Sequence, residues 1–278
     1  AGATAVVTGS IRRDGDDIIV SARQIRIEAG VLDAEVTERA APAGLMSAFD
    51  RLGARLGGAA PGATASGLTL AAFEPYVKGL LAETPVRQTT FLKAALAANP
   101  KLDAARLALW QVQTISGDHK AALESVRDVP ESSAQSVDAR FLQALSLLHL
   151  GQPGEASAVL RALHERAPSP VLLNNIGVAV VRDPSLAARI GRATWYFSQA
   201  RSGDALETDY VFNLGYAYWL EGDPSGAVYW LKEAVRLEPA EPGAHVLLAQ
   251  ALHAAGQSAE SYRELSLAQR LSSAYEGL

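Results

Sequence analysis

Two patterns of apolar spacing divide the chain. From Thr69 onward, apolar and small residues return at helical intervals, and the whole pattern returns about every 34 residues. The clearest stretch is 209–239. There Leu214 and Tyr218 mark one face of a first helix, while Ala227, Leu231 and Ala234 mark one face of a second. Ahead of Gly57 the spacing is different. Residues 4–12 and 17–27 are rich in β-branched side chains and flank Arg13-Asp14-Gly15-Asp16, a hairpin signal. Glu28-Ala29-Gly30 offers a second turn and 31–37 reads as a third strand. Leu45, Phe49, Leu52 and Leu56 then fall on one face of a helix. The expected order is a small α+β segment over 1–57, a Gly- and Ala-rich linker over 58–68, and a helical array over 69–278.

Placing the first position of each unit at Thr69, Asp103, Val137, Pro170, Thr208 and Pro242 predicts six helical hairpins, 69–102, 103–136, 137–169, 170–207, 208–241 and 242–275. In this register a turn glycine recurs as Gly117, Gly151, Gly222 and Gly256. A small residue opens the second helix at Ala122, Ala156, Ala193, Ala227 and Ser261, and a proline closes the unit at Pro100, Pro168 and Pro239. Each has a mechanical reason. Small residues such as Gly215, Ala227 and Ala234 let two helices approach closely. Gly222 suits the left-handed residue that ends a helix, Asp223 the cap of the next, and Pro224 its first turn. The Gln152-Pro153 and Asp183-Pro184 pairs predict the same punctuation. The departures are informative too. The fourth unit carries about four extra residues between Gly177 and Ala193, expected to lengthen a helix or the turn. Pro75 predicts a late start for the first helix, and Leu163, where alanine is usual, predicts looser packing.

The register resembles that of tetratricopeptide-repeat proteins over residues 69–273. The resemblance implies a mostly α fold, a right-handed superhelix whose first helices line a concave peptide groove. Residues 1–57 resemble the second half of a small α/β domain found in the N-terminal part of TolB and in the flagellar outer-membrane protein FlgO, without the strand–helix–strand portion that usually precedes it. That likeness implies a bacterial envelope location, whereas an acidic chain of soluble repeats fits the cytoplasm as well. It also leaves the strand at 5–11 as an unprotected sheet edge, which invites self-association or addition of a partner strand.

Composition narrows the function. A net charge of −5 disfavours nucleic acid and anionic membranes as partners. No apolar run is long enough for a membrane span. Cys is absent from the sequence, so disulfides, thiolate metal sites and cysteine nucleophiles are excluded. No phosphate loop, dinucleotide fingerprint or zinc-protease motif occurs, and His119, His149, His164, His245 and His253 are scattered over different units. The expectation is therefore a non-enzymatic scaffold with no cofactor and no metal. The chain opens Ala-Gly-Ala-Thr, as a processed protein or an excised segment would. A regulatory or sensory segment of a larger protein, with its effector domain elsewhere, is the alternative.

If the groove is the working surface, the resemblance assigns it Asn174, Asn175 and Arg182 in the fourth unit and Phe212, Asn213, Tyr216 and Trp219 in the fifth. Asn175 and Asn213 share one register position, and an amide can donate to and accept from a peptide backbone at once. The same asparagines suit a second role, tying neighbouring helices together. Phe212, Tyr216 and Trp219 suit hot-spot anchors or packing between repeats. Gly243 and Leu247 stand where a clamp for an acidic C-terminus would need basic residues.

Overall fold

The computed structural model describes residues 4–27, 30–57 and 68–275. The chain forms two compact units, Ala1–Ser116 and Gly117–Leu278. The expected linker falls almost wholly on 58–67, outside the described residues.

The first unit opens with β1 (Ala5–Asp14) and β2 (Asp17–Arg26), antiparallel, with Asp14 opposite Asp17 and Ala5 opposite Arg26. Gly15, at φ +65, supplies the positive φ that a two-residue turn needs. The expected third strand is split into β3 (Val31–Leu32) and β4 (Val36–Ala40), both paired with β2. Between them the chain leaves the ladder at Asp33. Its amide donates to Gln24 O at 2.9 Å, and its carboxylate accepts from Arg26 Nη2 at 2.8 Å. Helix α1 (Leu45–Arg55) lies on β2 and β4, closing a small core of Val20, Ala22, Leu45 and Leu52. Arg51 and Arg55 both reach Glu38 on β4, at 2.8 and 3.0 Å, and hold its carboxyl below the ordinary 4.5.

Helices α2 (Leu70–Leu81), α3 (Pro85–Ala98) and α4 (Asp103–Ile115) complete this unit. The first helix does not begin late. It starts at Leu70 and runs through Pro75, losing only the backbone bond that a proline cannot donate. Burial of Ala72 and Gly79 on either side keeps it intact, and a Cβ on Gly79 would stand 2.7 Å from Leu92 Cγ of α3.

The second unit is a two-layer helical solenoid: α5 (His119–Arg127), α6 (Ser136–His149), α7 (Pro153–Arg166), α8 (Pro170–Arg182), α9 (Ala187–Ile190), α10 (Ala193–Gly203), α11 (Thr208–Leu220), α12 (Pro224–Leu237), α13 (Pro242–Ala254) and α14 (Ser258–Leu271). Apart from the short α9, each packs on the next, and α11 also touches α8 and α13, so the first helices of successive hairpins adjoin. Gly117, Gly151, Gly222 and Gly256 all have φ between +71 and +77. The last three close one repeated motif. The amide after each glycine donates back five residues, Gln152 to Leu147, Asp223 to Tyr218 and Gln257 to Leu252, at 2.8–3.0 Å. The Asp223 carboxylate then accepts from Gly226 N at 2.9 Å and caps α12.

Close helix approach is written into the small residues. A Cβ on Gly215 would lie 2.7 Å from Leu231 Cγ, and one on Gly177 would lie 2.6 Å from Phe197 Cε1. Leu163, standing where alanine is usual, is buried in the same core as Leu160 and Phe197. The extra residues of the fourth hairpin lengthen the turn. They build a 3-10 segment at Pro184–Leu186, capped by Asp183, and then α9, which stops at Gly191 with φ +103.

Candidate functional site

Helix α11 turns Tyr210, Val211, Leu214, Gly215 and Ala217 inward, which leaves Phe212, Tyr216 and Trp219 as a half-buried stripe. Their spacings of four and three residues put them on one helical face. The rings of Phe212 and Tyr216 lie 6.5 Å apart with planes 16° from parallel. The stripe joins two pockets. At the N-terminal end Phe212 borders a cavity of about 340 Å³ rimmed by Asp209, Glu238 and Glu241. No ion pair engages these three carboxylates among the described residues. At the C-terminal end Trp219 borders a cavity of about 440 Å³ with Val246, Gln250 and His253 of α13 and Leu265 of α14. The Ser261 hydroxyl at this pocket is satisfied by Ala249 O at 2.7 Å, leaving mainly apolar walls. Seven residues of helix separate Phe212 from Trp219, about 10 Å.

The other candidate residues are drawn into the scaffold to different degrees. Asn213 Nδ2 donates to Asn174 Oδ1 at 3.0 Å, tying α11 to α8 across the first-helix layer. Asn175, at the register position of Asn213, turns its amide back to Val171 O at 2.9 Å on its own helix. Arg182 Nη1 donates to Leu148 O at 2.5 Å and caps the end of α6. The structure thus gathers Phe212, Tyr216 and Trp219 beside the pockets, pairs Asn174 with Asn213, and sends Arg182 toward the preceding repeat.

The histidines also separate. His253 faces the Trp219 pocket, whereas His245, eight residues earlier, is only 3% exposed. Its ring nitrogens meet Glu264 Oε2 at 2.6 Å and Pro239 O at 3.0 Å. His119 and His149 stack at 4.2 Å. Burial first, then the charges of His119 and Arg182, holds the His149 imidazole below its ordinary 6.5.

A further cavity, about 620 Å³ and open, had no signal in the register. The turn ending at Gly191 and the face of α10 make it, with Ile190, Arg192, Trp195, Tyr196 and Tyr218 around it. Tyr196 donates its hydroxyl to Ile190 O, and Trp195 is 54% exposed. Only the surplus length of the fourth unit marked this place in the sequence. Among the described residues, no three His, Asp or Glu are gathered as a metal ion would require, and no helix is long and apolar enough to cross a membrane.

Residues 137–162 and 242–265 match the sequence profile of the tetratricopeptide repeat. The crystal structure of PilW, a type IV pilus biogenesis factor, superposes with a TM-score of 0.60 at 19% identity, over 72% of this chain and 89% of that one. MamA from Desulfovibrio magneticus RS-1, residue 41 to its end, gives 0.54 at 14% identity, over 63% and 97%. The Cut9–Hcn1 hetero-tetramer of the APC/C gives 0.59 at 16%, over 72% of this chain and 40% of the matched one. No curated protein matches by sequence. The shared property is the fold, a tetratricopeptide-repeat solenoid.

Proposed function

We propose that this tetratricopeptide-repeat chain is a non-enzymatic scaffold that binds a peptide segment of a partner protein along α11 and α13. The observation that carries the reading is the Phe212–Tyr216–Trp219 stripe, which links an acid-rimmed pocket to an apolar one. Aromatic side chains of this kind anchor interfaces because they bury much area at little rotamer cost. The 10 Å or so between Phe212 and Trp219 matches side chains three residues apart in a polyproline-II peptide, in which every third side chain shares one face at ~3.1 Å per residue. The ligand is therefore a segment with an apolar side chain for the Trp219 pocket and a basic side chain three positions away for Asp209, Glu238 and Glu241. Asn174 and Asn213 hold the first-helix layer in place, and their remaining amide groups lie beside the bound backbone. Asn175 and Arg182 take the outer part of the groove. Scaffold use is the role PilW's description as a biogenesis factor and the Cut9–Hcn1 complex would suggest for the same fold. The N-terminal sheet with α1 is read as kin to the second half of the TolB and FlgO domains, on the sequence run from Ala5 to Arg23 with the strand and helix that follow it, and self-association through β1 is a property separate from the groove.

The test is a selection from a displayed random-peptide library on the immobilised chain. Enriched peptides are then measured against Phe212→Ala and Trp219→Ala. An apolar–x–x–basic pattern in either direction, with at least tenfold weaker binding to each variant, supports the reading. Peptides that bind both variants as well as the original chain overturn it.

A further inference from the structure

Strand β1 is ten residues long and pairs on one side only among the described residues. Nine of the ten are exposed, with Val7 at 59% and Ile11 at 62%. It carries no proline and no lysine, the usual means of blunting an edge. The hydrogen-bond parity of this edge follows from one contact. Thr4 O accepts from Ile27 N at 3.0 Å, and Asp14 faces Asp17 across the turn. In an antiparallel ladder, peptide groups alternate in direction. Val6, Thr8, Ser10 and Arg12 therefore direct theirs at β2, and Ala5, Val7, Gly9, Ile11 and Arg13 direct theirs outward.

We infer that β1 pairs antiparallel with β1 of a second copy of this chain, in a register centred on Gly9. Parity allows only outward residues to meet outward residues, and this register gives the longest such overlap that is also symmetric about one residue. It sets Gly9 on the partner's Gly9, Val7 opposite the partner's Ile11 and Ile11 opposite the partner's Val7. On that same face Arg13 meets the partner's Ala5, and on the other face Thr8 meets the partner's Ser10 and Arg12 meets the partner's Val6. β-Branched and hydroxyl cross-strand pairs are the favourable kind, and no like charges are opposed. A parallel pairing would stack Arg12 and Arg13 on their own copies. Glycine suits the centre. A Cβ there would already meet Ser21 O at 2.4 Å, so the position admits no side chain. Val7 and Ile11 share the sheet face of Val20 and Ala22, which α1 covers over β2 and β4 and leaves uncovered over β1. Two-fold pairing joins these uncovered strips into one. The product is a single sheet continuous across two chains, the arrangement symmetric dimers favour.

The chain has no cysteine, which makes the register directly testable. Thr8 and the partner's Ser10 form a non-hydrogen-bonded pair with Cα atoms about 4.5 Å apart, within reach of a disulfide. Thr8→Cys and Ser10→Cys chains are prepared separately and oxidised mildly, alone and mixed. The expected result is a covalent dimer in the mixture and little in either variant alone. Cross-linking of one variant with itself to the same extent overturns the register. Sedimentation of the unmodified chain over a range of concentrations tests the association itself. A dimer is expected that is lost in Val7→Lys/Ile11→Lys and in Val7→Glu/Ile11→Glu, both still folded by circular dichroism, and restored on mixing the two. A monomer at every concentration, or a dimer indifferent to these exposed positions, refutes the proposal.

Discussion

Gly177 is the position at which helix packing has least tolerance. A Cβ built there lies 2.6 Å from Cε1 of Phe197 and 2.9 Å from both Cδ1 and Cζ. Carbon atoms at rest sit about 3.5–4.0 Å apart, so the ring would have to retreat by nearly 1 Å. Phe197 is 1% exposed within the largest buried cluster, and it has nowhere to go without displacing neighbours. Overpacking of this kind costs about 1–3 kcal/mol. Against it, alanine gains about 1 kcal/mol over glycine inside a helix. At so short a contact the steric side prevails, and Gly177→Ala should lose up to about 2 kcal/mol. Gly154, in the first turn of α7, has nothing within 4 Å of its Cβ position, so Gly154→Ala should gain a few tenths to about 1 kcal/mol. Urea unfolding followed by circular dichroism measures both. Phe197→Leu, which removes the ring, should make Gly177→Ala less costly in the double variant than in the single one. Equal stability of Gly177→Ala and the original chain, or shifts of the same sign at Gly177 and Gly154, would refute the close-approach argument.

Other outcomes follow from the caps and the histidines. Asp223→Ala removes the side chain that accepts from Gly226 N and should cost about 1 kcal/mol, read as a lower urea midpoint. His245→Ala leaves Glu264 and Pro239 O without their buried partner and should cost about 2–3 kcal/mol, while His253→Ala leaves stability nearly unchanged. The folded chain binds a proton at His149 less readily than the unfolded chain does, because its imidazole is held below 6.5. That contribution to stability is complete above the unfolded value and falls as pH drops through it. Urea midpoints between roughly pH 7.5 and 5.5 should decline, and His149→Gln should flatten the decline; an unchanged slope in the variant contradicts the assignment.

The helical array was legible because its signals are local backbone requirements. Gly222 marks a left-handed turn, Asp223 and Pro224 start the next helix, and Gly215 and Ala227 stand where helices touch. None of these depends on a distant neighbour. Pro75 misled for the opposite reason: a local preference yielded to burial of the helix around it. The split of β3 from β4 turns on a contact of Asp33 with Arg26, which spacing along the chain does not carry. The asparagines show the limit most clearly. Asn175 and Asn213 share a register position, yet one bonds its own helix and the other bonds Asn174, 39 residues away in sequence. Which polar side chain remains available at a surface is decided by the neighbouring helix. The cavity beside Trp195 was equally hidden, since surplus length shows that a turn grows without showing what it encloses.

The most direct test of the groove is where a selected peptide sits on the chain. Hydrogen exchange with and without a library-derived peptide should show slowed exchange in α11 and α13, near Tyr216, Trp219 and Gln250, and none near Trp195 on α10. Trp195→Ala should bind that peptide unchanged and Trp219→Ala at least tenfold more weakly. Protection confined to α10 and the Gly191 turn, with affinity lost in Trp195→Ala and kept in Trp219→Ala, would contradict the assignment of α11 and α13 as the working surface.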